Sequence, residues 1–404
     1  MILMQLNLNN ITFLFPQNAK LDNVRNQKPD HTFSDLSVSF LNSLSSVLLK
    51  NQQTRTYPDV ATFAFFCRKA NILANKKKYE ENAIRLGRGI VFHIAPSNVP
   101  VNFAYSLVAG ILSGNINIVR VPSKPFNQVE LICNAIEQVI ALSEYAVLKD
   151  RIFLIRYDSQ SNTTTELSLL CDVRVIWGGD DTIAQIRKSV LPPRSFDVTF
   201  ADRYSLASIN ADTLVNETNF DKLAKDFYND TYLFDQNACS APRMVIWTGK
   251  EENVVKAKVL FWNAVHKSLE KYEFSSILSV DKLSELYWQS TQCEGVIRIE
   301  PDDNKLWRIN IENLTTDIDI YRCAGGYFLE YTASSLDELE MIVNRKYQTL
   351  AYYGYSLDEL KYFIKRNRLN GIDRVVPFGK TTDFSLTWDG YDLIRTLSRE
   401  CSIE

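Results

Sequence analysis

The hydrophobic positions of the chain follow two rhythms. Between residues 35 and 80, "DLSVSFLNSLSSVLLK" and "PDVATFAFFCRKANIL" space apolar residues three and four apart, which predicts amphipathic helices. The charged "NKKKYEEN" that follows reads as a solvated helix end or linker. From Gly87 onward short apolar runs take over: "GIVFHIAP", "NINIVRVPS", "RIFLIRYD", "CDVRVIWGG" and "FDVTFAD" each predict a strand. Helical segments separate them: "VNFAYSLVAGILSG", stopped by Gly114, then "NQVELICNAIEQVIALSEYAVL", then "DDTIAQIRKSVL" with acidic residues at its positive end. Apolar strands alternating with helices imply βαβ units and a parallel sheet covered on both faces. Such sheets take ligands at the carboxyl ends of their strands, here "APSN", "VPSK" and "GGDD".

A second region runs from about Arg203 to Gly379. "VVKAKVLFWNAVHKSLEKY" predicts a helix, and "GGYFLEYTA" and "TLAYYGY" predict strands. Each of these strands precedes a Ser-x-x-Glu pattern, Ser335 with Glu338 and Ser356 with Glu359, which predicts two capping boxes. The result is a smaller α/β domain. "RVVPFGKTTDFSLTWDGYDLIRTLSRE" reads as a separate tail ending in a short helix. "MILMQLNLNNITFLF", apolar but broken by Asn and without a basic start, reads as a strand or buried arm rather than a signal peptide.

Composition narrows the function classes. Of 404 residues 46% are hydrophobic and 23% charged, with a formal net charge of -3, so neither a nucleic-acid nor a membrane partner is indicated. No run approaches the ~20 apolar residues of a membrane span. The seven cysteines are odd in number, scattered and never C-x-x-C, which points to a reducing cytoplasm rather than disulfides or structural zinc. Three histidines, His31, His93 and His266, leave little room for a metal site or a histidine triad. Cys67, Cys133 and Cys171 belong to apolar segments and read as core. Cys239, in "DQNACS", stands between small residues that would let a substrate approach, with Pro242 just beyond; taken alone it too reads as a buried free cysteine, and only its company makes it a candidate nucleophile. A thiolate attacking a carbonyl creates an oxyanion, which needs fixed donors. Asn98, in the Pro-framed turn "APSNVP", offers one. Asp202, Arg203 and His93 read as strand-end polar residues and a satisfied strand histidine.

Three segments in order resemble the aldehyde dehydrogenase superfamily, in its branch of acyl-CoA reductases typified by the fatty-acid reductase of bacterial luminescence. They are "GRGIVFHIAPSNVPVNFAYSLVAGILSGNINIVRVPSK", "DQNACSAPR" and "GIDRVVPFGKTTDFSLTWDGYDLIRTLSR", and the resemblance runs from about residue 85 to the end. It implies an α/β, aldehyde dehydrogenase-like fold: a Rossmann-type parallel-sheet cofactor domain over 85–204 and a smaller catalytic cysteine domain over 205–379. A helical segment over 1–84 packs on the cofactor domain, and 380–404 forms a tail. Carried over, Cys239 is the acylated nucleophile and Asn98 the oxyanion donor, with the Cys239 backbone N–H as its partner. Pro122, Ser123 and Lys124 lie where the family holds the adenosine ribose, with Arg120 just before them. Gly178 and Gly179 lie at its pyrophosphate and nicotinamide turn. Lys124 replaces the Glu of NAD-dependent members, which implies NADPH. Phe200 replaces the Glu that activates water, which implies a reaction run toward the aldehyde. The acidic residue that grips the nicotinamide ribose falls near Arg322. The implied activity is reduction of an acyl-CoA, or of an acylated carrier or synthetase protein, by a cytoplasmic homo-oligomer without metal. An acyl-phosphate reductase, an acyltransferase or thioesterase using the same cysteine, and a non-catalytic scaffold remain alternatives.

Overall fold

The structure, a computed structural model, describes residues 11–17, 19–21, 23–79, 83–97, 99–299 and 303–403. The chain divides into two compact units, one running to Ala201 and resuming at Phe384, the other spanning Asp202–Asp383.

The first unit contains β1 (Thr12–Phe15), α1 (Asp35–Lys50), α2 (Pro58–Phe66), α3 (Lys69–Lys76), β2 (Ile84–Gly87), β3 (Ile90–Ile94), α4 (Asn102–Leu112), β4 (Ile116–Arg120), α5 (Asn127–Ile140), β5 (Ile152–Arg156), α6 (Thr163–Leu170), β6 (Val173–Trp177), α7 (Asp180–Ile186) and β7 (Phe196–Phe200). Its main sheet has the order β1-β5-β4-β3-β6-β7. β3 to β7 are mutually parallel, and β1 joins the β5 edge antiparallel. Chain order reverses at β3, so a crevice opens at the carboxyl ends of β3 and β6. β3 and β6 are buried at every position, which is why they read as unbroken apolar runs. One sheet face packs with Phe40, Leu44, Phe63, Leu107 and Ile132; Phe92, Ile118, Phe153, Leu167 and Ile183 fill the other. His93 sits inside this sheet, its Nδ1 at 2.7 Å from Ser106 Oγ and its Nε2 at 3.1 Å from Asn117 Oδ1. Burial lowers its pKa to about 4, so it is a neutral structural imidazole, as its strand position predicts. α4 packs so closely that a Cβ on Gly110 would stand 1.9 Å from Asn117 Oδ1 and would have to displace that side chain from its bond to His93.

The second unit contains β8 (Tyr204–Asn210), α8 (Ala211–Leu214), α9 (Phe220–Thr231), β9 (Pro242–Thr248), α10 (Glu251–Ser268), α11 (Ile277–Gln292), β10 (Ile297–Ile299), β11 (Trp307–Asn310), β12 (Tyr327–Thr332), β13 (Tyr347–Tyr353), α12 (Leu357–Asn367) and β14 (Arg374–Pro377). Its sheet has the order β10-β11-β12-β9-β8-β13-β14, with β10 antiparallel to β11 and the remaining pairs parallel. Met244, Ile246, Leu329 and Leu350 point into one core and Val245, Trp247, Phe328 and Ala351 into the other, the period-two alternation of strands packed on both faces.

The two Ser-x-x-Glu patterns part ways. Ser356 and Glu359 form the full capping box and start α12. Ser335 and Glu338 do not: Glu338 Oε1 accepts from Ser334 N and Ser334 Oγ, and its Oε2 accepts from Tyr331 Oη. With Glu338 engaged one residue earlier, Leu336–Met341 stays a 3-10 turn.

The tail is not a separate piece either. β14 belongs to the second sheet. From Phe384 the chain adds β15 (Thr387–Trp388), β16 (Tyr391–Asp392), α13 (Leu393–Leu397) and β17 (Ser398–Cys401) to the first unit. Leu386, Leu393, Ile394 and Leu397 are buried in that unit's core, and β17 pairs antiparallel with β2. Arg85 and Glu400 close this ribbon with a 2.6 Å ion pair. Among the described residues no helix is long and apolar enough to cross a membrane.

Candidate active site

The "DQNACS" segment is a tight turn between α9 and β9. After α9 a 3-10 turn over Tyr232–Phe234 leads into Asp235 and Gln236, both left-handed at φ 50° and 61°. Two successive non-glycine residues in that region cost of order 1–3 kcal/mol each and persist only where the surroundings fix them. Asp235 Oδ1 accepts from Tyr272 Oη at 2.7 Å, and its carbonyl accepts from Gly325 N at 2.9 Å. Gln236 is 0% exposed, and its whole amide is used. Its Nε2 donates to Pro242 O at 2.9 Å and Tyr327 O at 3.0 Å, and its Oε1 accepts from Gly326 N at 3.0 Å and Tyr327 N at 3.1 Å. The side chain thus staples the turn to the first residues of β9 and β12. Gly325 and Gly326 make this possible: both have positive φ, and a Cβ on Gly326 would stand 2.3 Å from Lys305 O. Lys282 of α11, wholly buried, closes the same turn by donating to Asn304 O at 2.7 Å and to Gly325 O. Burial lowers its pKa to about 8.

Cys239, held by this turn, is exposed. Cys67, Cys133 and Cys171 are buried, and burial pushes their thiols up, the last two to about 12. They are core residues, as their apolar segments predict. Around Cys239 the first residues of β8 and β13 converge. Ser205 Oγ donates to the Cys239 carbonyl at 2.7 Å and accepts from Thr349 N at 3.2 Å. Gln348 Nε2 donates to Cys239 Sγ at 3.4 Å. The nucleophile candidate therefore lies at the amino ends of its sheet's parallel strands. Sequence reasoning missed Gln236, Ser205 and Gln348. The amide just before the cysteine was the one visible signal for Gln236.

Asn98 lies outside the described residues. In the first unit Arg120 ends β4 with its guanidinium 4.7 Å from the Tyr157 ring centroid. Pro122 is buried and accepts from Arg156 Nε at 3.1 Å, while Ser123 and Lys124 are exposed. An exposed cation at the carboxyl end of a parallel strand fits an adenosine ribose and its phosphate. The Gly178–Gly179 turn fits a pyrophosphate less well. A Cβ on Gly179 would meet nothing, and Asp180 and Asp181 follow in the first turn of α7, where an anion would be repelled. What Gly179 leaves is open space, while a Cβ on Gly178 would stand 3.2 Å from Thr182 Cγ2. Phe200, buried at the end of β7, stacks on Trp177 with ring centroids 3.7 Å apart. Arg322 pairs with Asp202, and Arg203 with Asp373, so these strand-end charges satisfy one another within the second unit. A cavity of about 420 Å³ between α1 and α5 is lined by none of these residues.

A family model described as acyl-CoA reductase (LuxC) matches residues 69–400. A long-chain acyl-protein thioester reductase of Vibrio harveyi is 23% identical over 77% of this chain and 63% of its own length. Its counterpart from Aliivibrio fischeri is 24% identical over 74% of this chain and 60% of its own. The chain thus spans somewhat under two thirds of these relatives. Among solved structures, an NAD-dependent aldehyde dehydrogenase from Sinorhizobium meliloti superposes with a TM-score of 0.65 at 12% identity, covering 94% of this chain and 83% of that one. The fold is aldehyde dehydrogenase-like and of the α/β class.

Proposed function

The chain belongs to the LuxC acyl-CoA reductase family, and on that premise we propose that it reduces a long-chain acyl thioester to the aldehyde through an acyl-enzyme on Cys239. The observation that carries this reading is the Cys239 turn: an exposed thiol on backbone pinned by Gln236 and Ser205, in a chain whose cysteines at 67, 133 and 171 are buried. Cys239 Sγ attacks the thioester carbonyl carbon. A carbon–sulfur bond forms, the donor's carbon–sulfur bond breaks, and the donor leaves as a thiol with a proton from solvent. Asn98 and the Cys239 backbone N–H stabilise the oxyanion formed on the way. A reduced nicotinamide, when bound, supplies the hydride that takes the acyl group to the aldehyde. The first unit, with Arg120, Pro122, Ser123 and Lys124 on the adenosine side and the Gly178–Gly179 turn, open at Gly179, beyond them, would hold it. The acyl donor is a protein thioester, as the relatives' names say of them, or acyl-CoA; the two differ only in the departing thiol.

The test is intact mass and aldehyde formation with palmitoyl-CoA. The protein gains one acyl group without reductant and releases aldehyde when NADPH is added. No adduct and no aldehyde from either class of donor overturns the reading. Phe200 bears on the rival thioesterase reading, because a stacked, buried phenyl cannot activate water. The acyl-enzyme is therefore expected to persist for many turnover times without NADPH. Its rapid loss to free acid, followed by mass over time, favours the thioesterase.

Lys124 supports NADPH over NADH. A charge-assisted bond to a 2′-phosphate is worth ~1.5–3 kcal/mol, roughly a tenfold to hundredfold preference. Lys124→Glu is expected to remove the preference by raising the KM for NADPH while leaving that for NADH nearly unchanged. Equal efficiency of the wild type on both cofactors removes Lys124 from the cofactor site.

A further inference from the structure

We propose that Gln348 is a catalytic residue whose side-chain N–H holds Cys239 as the thiolate, a role that rests on Cys239 being the nucleophile. Gln348 is the second residue of β13 and is 1% exposed. An amide buried in a sheet must place both of its ends. Its Oε1 accepts from Thr349 Oγ1 at 3.3 Å, and its Nε2 donates to Cys239 Sγ. Ser205 ties the two sides together, because one hydroxyl holds both the Cys239 carbonyl and the Thr349 N–H. Sulfur and amide are thus fixed to one another through β8, β13 and the turn before β9, not through a mobile surface side chain.

The chemistry follows from the donor type. An N–H gains little from a neutral thiol and about twice as much from an anion, so it favours loss of the sulfur proton to solvent. No imidazole takes this place: His31 and His266 pair with Asp30 and Asp303, and His93 with Ser106 and Asn117. An amide also has no titratable proton of its own, so its support is constant with pH. As the sulfur lone pair forms the bond to the acyl carbon, negative charge moves to the carbonyl oxygen and the Gln348 N–H bond relaxes.

The experiment is the pH dependence of Cys239 alkylation by iodoacetamide, read by peptide mass so that Cys293, Cys323 and Cys401 do not contribute. Gln348→Met is expected to raise the midpoint by about one to two pH units, and Gln348→Glu, which sets a carboxylate against the sulfur, by more. The midpoint is the readout because a less acidic thiolate is intrinsically more nucleophilic, which partly masks a change in rate. Midpoints equal to wild type in both variants overturn the proposal. Should both variants fail to fold, the native wild type is compared with its urea-unfolded chain: a native midpoint lower by about one unit or more is expected, and equal midpoints overturn the proposal. A Gln348-dependent midpoint in a protein that never forms an acyl adduct sinks the reductase reading and with it the catalytic role, leaving only the thiolate contact. An adduct with unshifted midpoints sinks only the role of Gln348.

Discussion

Cys239→Ala protein incubated with palmitoyl-CoA gains no acyl mass, and its NADPH-dependent aldehyde formation falls by about 10³-fold or more, the scale of losing a covalent nucleophile. The substitution trims an exposed residue and removes the hydrogen bond from Gln348, so the fold should hold. The staple is untouched, because Gln236 bonds backbone atoms of residues 242, 326 and 327 rather than Cys239. NADPH affinity is expected to stay within about twofold, since Lys124 and Arg120 stand on the other unit. Cys401 is also exposed, so Cys401→Ser serves as the control and should keep full activity. A Cys239→Ala protein that still carries a thioester-linked acyl group moves the nucleophile elsewhere.

How much of this was legible depended on the range of the interactions. The first sheet could be read strand by strand, because β3 to β6 are covered on both faces and each shows as a short apolar run between helices. The separate two-stranded ribbon could not. β2 and β17 are short, part-exposed strands whose pairing joins residue 87 to residue 398 and leaves no periodic trace. Cys239 stood out by its small neighbours, but its surroundings did not. Gln348 lies 109 positions from it and Gln236 reaches 90 positions to Gly326, so nothing local marks either glutamine as more than a polar residue. Gln236 occupies a left-handed position that the sequence did not announce. Ser335 shows the opposite error: a correct local pattern overridden when Tyr331 and Ser334 reached Glu338 first. Lys124 marks a further boundary, since sequence supplied its charge and the strand end supplied its exposure.

The staple itself should be testable as a stability determinant. Gln236→Leu keeps the approximate volume but removes both ends of the amide. Gly326 N and Tyr327 N then lose their acceptor in a site with no exposure, and each orphaned buried group costs ~1–3 kcal/mol. The second unit is therefore expected to lose roughly 2–6 kcal/mol, a large part of a typical domain's 5–15. Gln236→Glu separates the two halves of the staple. Its carboxylate still accepts from Gly326 and Tyr327, but it now faces the Pro242 and Tyr327 carbonyls without a proton to offer. Where either variant remains folded, the left-handed pair at Asp235 and Gln236 loses its restraint, and Cys239 shifts relative to Gln348. Acylation should then slow more than NADPH binding weakens, the pattern of a positioning residue rather than a general loss of structure. Urea denaturation gives the stability and single-turnover acylation gives the rate. A Gln236→Leu protein with wild-type midpoint and wild-type acylation shows that the turn holds itself without the amide.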